Sequence, residues 1–151
     1  MSVQQTATTS FKVELFQAIH NFGPIGADTF KIALYTAAAN IGPSTTSYTS
    51  VGEVSGSGTG YTTTGEILTI SLYPTYGNNS INVPTAFISF ANATWTNATF
   101  TVRGALIYND TVAGNPSVAV LDFGSDKTVT NDTFQVIFPT PDANSAIVRI
   151  S

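Results

Sequence analysis

Short segments in which apolar residues fill every second position constrain this chain more than any other feature. The pattern is clear in FKIALY (30–35) and in EILTISLY (66–73). A period of two places the apolar side chains on one face of a β-strand. Strands are predicted over 29–37, 66–73, 86–90, 100–108, 117–123, 133–138 and 146–150. Short strands separated by turn residues predict a mainly β fold, as a single antiparallel β-sandwich or barrel-like domain.

One α-helix is predicted before the first strand, over residues 10–22. Apolar residues recur on one face of this segment, at Phe11, Leu15, Ala18, Ile19 and Phe22. Ser10 is the predicted N-cap, and Gly23-Pro24 is predicted to end the helix. The sole histidine, His20, has no evident acidic partner nearby and is interpreted as a residue beside the helix macrodipole. Residues 1–9 are polar and predict an N-terminal arm in front of the domain at 10–151.

The charge content narrows the classes of partner. Only 9% of the residues are charged, against roughly 25% in ordinary soluble domains. A protein surface with so few charges suits a protein that is held in an assembly or that faces the exterior. Five scattered cations and a net charge of −4 form no basic patch, so nucleic acid is not an expected partner.

No membrane partner or secretory route is expected either. No segment approaches the roughly 20 consecutive apolar residues of a transmembrane helix. The N-terminal residues, MSVQQTATTS, lack the cationic and apolar regions of a signal peptide. The chain has no cysteine, which excludes disulfides, thiolate metal ligands and a cysteine nucleophile.

Glycines and turn residues mark places where the backbone needs special freedom. Gly56, Gly58 and Gly60 lack the Lys-Ser/Thr and the following helix of a phosphate-binding loop, and they predict a tight turn or close backbone approach. Gly104 interrupts one face of the strand at 100–108 and predicts a bulge or a close neighbour. A turn is predicted at 74–79.

No catalytic, cofactor-binding or metal-binding residue is predicted. Three aspartates could suggest a calcium site, but their spacing matches no EF-hand loop and favours capped turns: Asp122, Asp126 and Asp132. No strand-flanked G-x-S-x-G motif occurs, and the single histidine lies in the predicted helix. Paired carboxylates for glycoside hydrolysis stay open, because such partners come from distant strands, yet nine acids mostly in turns support them weakly.

The loop at 37–65 carries the first group of candidate interface residues. It holds one carboxylate, Glu53, between Tyr48 and Tyr61, and exposed loop tyrosines are common contact residues. For Tyr35 and Tyr73 the favoured interpretation is packing in the core or at an edge of the sandwich. The predicted arm supplies the second group, expected to contact a neighbouring subunit: Val3, Gln4 and Gln5.

Several sequence motifs resemble those of small structural proteins of tailed bacteriophages. They are KIALYTA (31–37), TSYT (46–49), GEV (52–54), SGSGTGYT (55–62), FTVRGALIYN (100–109) and AVLDFGSDK (119–127). The resemblance covers roughly residues 10–150. Thr59 is an insertion relative to that pattern, and Thr64-Gly65 stands where the pattern has a glycine pair.

The resemblance implies a non-enzymatic component of the virion. The leading expectation is a head decoration or cement protein that binds the major capsid protein and assembles with itself as a trimer or dimer. A tail-side component, such as an adaptor, baseplate or fibre-associated protein, is the alternative. A host-glycan-binding module that uses aromatic side chains on loops is a second alternative.

Overall fold

The computed structural model describes all 151 residues of the chain. It contains eight β-strands and one α-helix. In chain order these are β1 (Thr6–Ala7), α1 (Thr9–Phe16), β2 (Phe30–Tyr35), β3 (Glu66–Leu68), β4 (Ile70–Asn78), β5 (Pro84–Phe90), β6 (Ala93–Asn109), β7 (Ser117–Val136) and β8 (Val148–Ile150).

The strands form two antiparallel sheets. One sheet has five strands in the order β1-β7-β6-β2-β3, and the other has three strands in the order β4-β5-β8. Strands make up 48% of the chain and helix 5%, and the sheets do not close into a barrel. The predicted mainly β fold is therefore confirmed, in a form consistent with a β-sandwich rather than a barrel.

The long hairpin of β6 and β7 is the centre of the five-stranded sheet. Its strands are longer than predicted, because 93–97 joins β6 and 133–136 continues β7 instead of forming a separate strand. The ladder stays continuous by absorbing register shifts, one of them between Val102 and Gly104. A Cβ at Gly104 would overlap the carbonyl oxygen of Leu121. The predicted bulge or close neighbour at Gly104 is confirmed in both senses.

The chain changes sheets where a single strand was predicted at 66–73. β3 pairs with β2, whereas β4 begins after Thr69 and pairs with β5 in the other sheet. The turn predicted at 74–79 is also wrong, because β4 continues to Asn78 through two register shifts. The turn follows instead, where Asn79 Oδ1 accepts hydrogen bonds from the backbone N–H groups of Ile81 and Val83.

The helix is shorter than the predicted segment 10–22. Thr8, not Ser10, is the N-cap, and its Oγ1 accepts a hydrogen bond from the Phe11 N–H at 3.4 Å. Ala18 adopts a left-handed conformation with φ 56°. The Ile19 and Ala18 N–H groups then bond to the carbonyls of Glu14 and Leu15. These bonds close a Schellman motif, which ends the helix before Gly23-Pro24 is reached.

Both faces of the five-stranded sheet are buried, which a single alternating pattern did not predict. On one face Phe30, Ile32 and Leu34 of β2 belong to a core of 23 buried residues between the sheets. On the other face Ala33 and Tyr35 belong to a second core of eight, completed by Val3, Ala39, Ile41, Leu106, Tyr108 and Val120. The loop between β2 and β3 and the N-terminal residues cover this second face.

The N-terminal residues are part of the domain rather than a free arm. Val3 is buried and forms a parallel bridge with Ile41. β1 pairs with β7, which places it at one edge of the five-stranded sheet. The predicted boundary at residue 9 is therefore corrected, because Val3 gains burial in a core that the rest of the chain leaves incomplete.

Candidate functional site

Three of the predicted interface residues meet at one carboxylate in the loop between β2 and β3. Glu53 Oε2 accepts a hydrogen bond from the Tyr48 hydroxyl at 2.6 Å. Glu53 Oε1 accepts one from the Tyr61 hydroxyl at 2.6 Å and one from the Thr64 N–H at 2.7 Å. The Tyr61 oxygen in turn accepts a hydrogen bond from the Leu34 N–H of β2 at 3.0 Å. Glu53 therefore connects the loop to the central sheet through hydrogen bonds.

Four tyrosines surround this carboxylate, and we call them the tyrosine cluster: Tyr35, Tyr48, Tyr61 and Tyr108. Burial is the main cause that raises the pKa of each of these phenols, to about 12 for Tyr108. The negative charge of Glu53 raises all four pKa values further, and its hydrogen bonds add to the effect on Tyr48 and Tyr61. The cluster is therefore a set of neutral phenols that donate to one carboxylate and to backbone carbonyls.

The tyrosine cluster holds the chain's own loop in place, and its members are poorly available to a partner. Tyr61 is only 3% exposed and packs edge-on against Phe100. Tyr48 is half-buried, with its ring 4.9 Å from that of Tyr108. The interpretation of Tyr61 as an exposed contact residue or as part of a sugar-stacking platform is wrong. Burial of Tyr35 in the core was predicted correctly.

The glycines of the loop allow close backbone approach, as predicted for Gly60. Gly60 has φ +72°, and a Cβ there would lie 2.5 Å from the carbonyl oxygen of Asn97. Gly65, just before β3, has φ +81°, and its Cβ would overlap the carbonyl of Ile32. These two contacts bring the loop against β6 and β2, and they explain Gly60 and Gly65 without a phosphate.

His20 belongs to a buried polar network that the sequence did not reveal. Its Nε2 lies 2.8 Å from Glu14 Oε2, so the acidic partner that was not evident in the sequence exists. Its Nδ1 lies 3.2 Å from Asn109 Nδ2, which also donates to Asp28 Oδ2 at 2.7 Å.

The same network fixes the tautomer of His20. Asn109 Oδ1 accepts hydrogen bonds from the N–H groups of Thr111 and Val112, so the amide has one orientation. Nδ1 of His20 is therefore an acceptor, and its Nε2 carries the proton that Glu14 accepts. Both ring nitrogens are occupied by structural partners. The interpretation of His20 as a residue beside the helix macrodipole is replaced by this role.

The aspartates of the β7 segment are spread along the strand. Asp122 Oδ1 accepts hydrogen bonds from the Gly124 N–H at 2.9 Å and from Arg103 Nε at 3.1 Å. These bonds, first the one from Gly124, lower the pKa of Asp122. Asp132 accepts from its neighbour Thr133 instead. The structure contains no group of three or more His, Cys, Asp or Glu side chains placed to hold a metal ion.

The remaining predicted interface residues divide between the interior and the surface. Val3 is buried, so it is not available to a neighbouring subunit. Gln4 and Gln5 are exposed, although the Gln4 N–H is bonded to the Ile41 carbonyl at 3.0 Å. Only the two glutamine side chains of this group keep the exposure that an interface needs.

A further surface suited to a partner lies on the β4–β5 hairpin, outside the predicted interface residues of the loop and the arm. Its exposed apolar side chains are Tyr73, Tyr76, Ile81 and Val83, and we call this set the hairpin surface. Tyr76 is 84% exposed. Tyr73 lies on the edge strand β4 rather than in the core, and its side chain is exposed. β4 is also the edge strand of its sheet, so its outer backbone groups have no partner strand.

A sequence signal for the hairpin surface does exist. No charged residue lies between Glu66 and Arg103. An exposed hairpin inside such a segment has no charge to keep it apart from other chains. The turn predicted at 74–79 divided this hairpin, because those residues belong mostly to β4.

Comparisons with known proteins identify no relative of this chain. No family model, curated protein or solved structure matches the chain. A separate finding concerns the helix: the structure contains no helix with the length and apolar character needed to cross a membrane.

Proposed function

We propose that this chain is a non-enzymatic structural subunit of a tailed-phage virion, and specifically a head decoration protein that binds the capsid. The observation that carries the proposal is the hairpin surface, a set of exposed apolar side chains on an uncharged hairpin that includes an unpaired edge strand. Isolated soluble proteins blunt such edges with charges or cover them. An assembly subunit instead buries them against its neighbours.

The energetics of the hairpin surface fit that role. Fully burying one large apolar side chain contributes about 1.5–3 kcal/mol. Aromatic side chains at the centre of an interface dominate binding energy, and tyrosine is enriched among them. Tyr73 and Tyr76 are both exposed residues of β4 and supply two candidate anchors.

The resemblance to phage structural proteins supports the proposal in a different way. Its densest motifs contain Tyr48, Glu53, Tyr61 and Gly60, which build and seat the loop over the second core. The motifs therefore specify how the domain is held together. That is what we expect of a scaffold whose binding surfaces lie elsewhere on the fold.

The test uses particles and compares two substitutions of exposed apolar residues. We expect Tyr76→Ser to reduce the number of copies on intact heads, and Ile25→Ser to leave it unchanged. Ile25 is 88% exposed but lies in the loop before β2, far along the chain from the hairpin. The readout is the copy number on tail-free heads, measured by quantitative mass spectrometry.

Two results would contradict the proposal. Equal occupancy by the Tyr76→Ser and Ile25→Ser proteins would remove the hairpin surface from the interface. Recovery of the protein only as a small ring at the tail would replace the head assignment with the tail-side alternative.

A further inference from the structure

A second apolar surface lies at the opposite edge of the three-stranded sheet, beside β8. It is a groove of about 640 Å³ between α1 and β8. Its apolar lining comes from Ala7, Phe11, Leu15, Phe16, Val148 and Ile150. Phe16 is 96% exposed at the rim. Phe11 and Val148 also line a smaller apolar pocket of about 150 Å³ that reaches β5.

The groove lies where the sandwich is open. β1 is an edge strand of the five-stranded sheet, and β8 is an edge strand of the three-stranded sheet. Ala7 of β1 and Val148 of β8 line the groove, and both also line an adjoining cleft of about 330 Å³ between the sheets. Two unpaired strand edges thus border one apolar space. This arrangement accepts an added strand, because backbone pairing supplies affinity and side-chain pockets supply specificity.

The charges at the rim indicate which chemistry the added strand carries. Lys12 and Arg149 line the groove, and neither has a carboxylate partner. Lys31 and Arg103, by contrast, pair with Asp110 and Asp122 at 3.1 Å. Two unpaired cations therefore border an apolar groove on a chain whose net charge is −4. A carboxylate at the rim would complement them.

The same residues disfavour two other occupants. A second copy that paired β8 with β8 around a two-fold axis would place Arg149 opposite Arg149, and like charges opposite each other destabilise a strand pair. An acyl chain could fill the groove, but it offers no N–H or C=O groups to the open edge of β8. A polypeptide can both pair with the backbone groups of the β8 edge and place a carboxylate beside the cations at the rim.

We propose that the groove between α1 and β8 binds an extended segment of a partner protein, in which apolar side chains alternate with at least one carboxylate. The segment adds a strand to β8, its apolar side chains fill the space beside Phe16 and Val148, and its carboxylate meets Arg149 and Lys12. This inference rests on the proposed role as an assembly subunit and gives the chemistry of a second contact.

The test uses the isolated full chain and synthetic peptides. The probe is a fluorescein-labelled peptide of about ten residues, long enough to cover a typical strand, in which Val alternates with Thr and Glu. A control peptide carries Lys in place of each Glu. We expect saturable binding of the Glu peptide by fluorescence anisotropy. Arg149→Glu should weaken that binding about tenfold, equivalent to about 1.4 kcal/mol, and should strengthen binding of the Lys peptide.

Two further variants separate the groove from general charge and folding effects. Phe16→Ser should abolish binding while leaving the circular dichroism spectrum unchanged, because the Phe16 side chain is almost fully exposed. Lys127→Glu should bind the Glu peptide like the unmodified chain, since Lys127 is an exposed cation on β7 outside the groove.

Several outcomes would overturn the inference. One is the absence of saturable binding, and another is equal binding of the Glu and Lys peptides. A dimer that Phe16→Ser dissociates in sedimentation experiments would assign the groove to a second copy. Binding to phosphatidylglycerol vesicles that Phe16→Ser removes, without peptide binding, would assign it to lipid. If the peptide binds but the protein never associates with particles, the proposed function fails and the groove stands.

Discussion

Replacing the one carboxylate of the loop tests how the second core is held together. Glu53→Gln keeps the size of the side chain but removes its charge. The new amide has one favourable orientation, with its oxygen at the Oε1 position, because its NH2 group there would face the Thr64 N–H. Its NH2 group then faces the Tyr48 hydroxyl, which must rotate from donor to acceptor.

The magnitude follows from the three hydrogen bonds that Glu53 accepts. A hydrogen bond to a charged group contributes about 1.5–3 kcal/mol, and a neutral one contributes about 0.5–1.5 kcal/mol. Losing the charge therefore costs about 1 kcal/mol per bond, reduced at Tyr48 because its side chain is partly exposed. We expect the free energy of unfolding to fall by roughly 2–3 kcal/mol.

Urea denaturation followed by tryptophan fluorescence measures this change. The only tryptophan, Trp95, is buried, and its ring lies 6.3 Å from that of Tyr61. With a slope of about 1–3 kcal/mol per molar urea, the midpoint should fall by about 1–2 M. Glu66→Gln is the matched control, because the Glu66 carboxylate has no hydrogen-bonding or ionic partner in the structure and should shift the midpoint little. Equal shifts for the two variants would refute the role assigned to Glu53.

Three further predictions concern stability. Burial raises the pKa values of the tyrosine cluster, to about 12 for Tyr108, so folding favours the neutral phenols. Their contribution to stability should stay constant up to about pH 10, the pKa of a free tyrosine, and should fall above that pH. A urea midpoint that does not change between pH 9 and pH 11.5 would contradict this. Ala18→Gly should raise the free energy of unfolding by about 1 kcal/mol, since Ala18 has φ 56°, and thermal unfolding should show a melting temperature about 2–4 °C higher; a lower one would argue against the Schellman motif. Deleting residues 1–5 should lower the free energy of unfolding by roughly 2–4 kcal/mol, because it removes the buried Val3 and the backbone hydrogen bonds to Ile41. An unchanged urea midpoint would instead support the free N-terminal arm that the sequence predicts.

The strands of the central sheet were predictable because their alternation is local. β2 and β6 follow directly from the repeats in FKIALY and FTVRGALIY. The second buried face of β2 was not predictable in the same way. Its covering residues, Val3 and Ile41, come from segments that carry no repeat of their own, so burial there depends on contacts distant in sequence.

Two predicted boundaries, the end of the helix and the extent of the strand at 66–73, were wrong because the apolar repeat continues past the point where the element ends. The apolar repeat of the helix continues past Phe16, but Ala18 adopts the left-handed conformation that glycine usually adopts at a helix end. The sequence therefore has no glycine at this position to mark the end of the helix. The alternation at 66–73 also continues unbroken across Thr69, where the chain leaves one sheet for the other. A period of two gives the face of a strand, not the sheet to which it belongs.

Part of the tyrosine cluster was visible in the sequence. Tyr48, Glu53 and Tyr61 stood out because one carboxylate lies in a long uncharged loop. A carboxylate in such surroundings needs hydrogen-bond donors, but the sequence does not show which of the loop's serine, threonine and tyrosine hydroxyls supply them. Whether the tyrosines point outward or inward depends on how Gly60 and Gly65 seat the loop, which only the fold defines.

If this chain is an assembly subunit as proposed, the hairpin surface is buried on the particle. Hydroxyl-radical footprinting of free and particle-bound protein measures that burial directly, by the oxidation rates of Tyr73 and Tyr76. We expect both tyrosines to be oxidised in the free chain and protected on the particle, with Phe16, at the rim of the proposed peptide groove, compared within the same spectra. Equal oxidation of Tyr73 and Tyr76 in the free and the particle-bound protein would show that the hairpin surface is not buried on the particle.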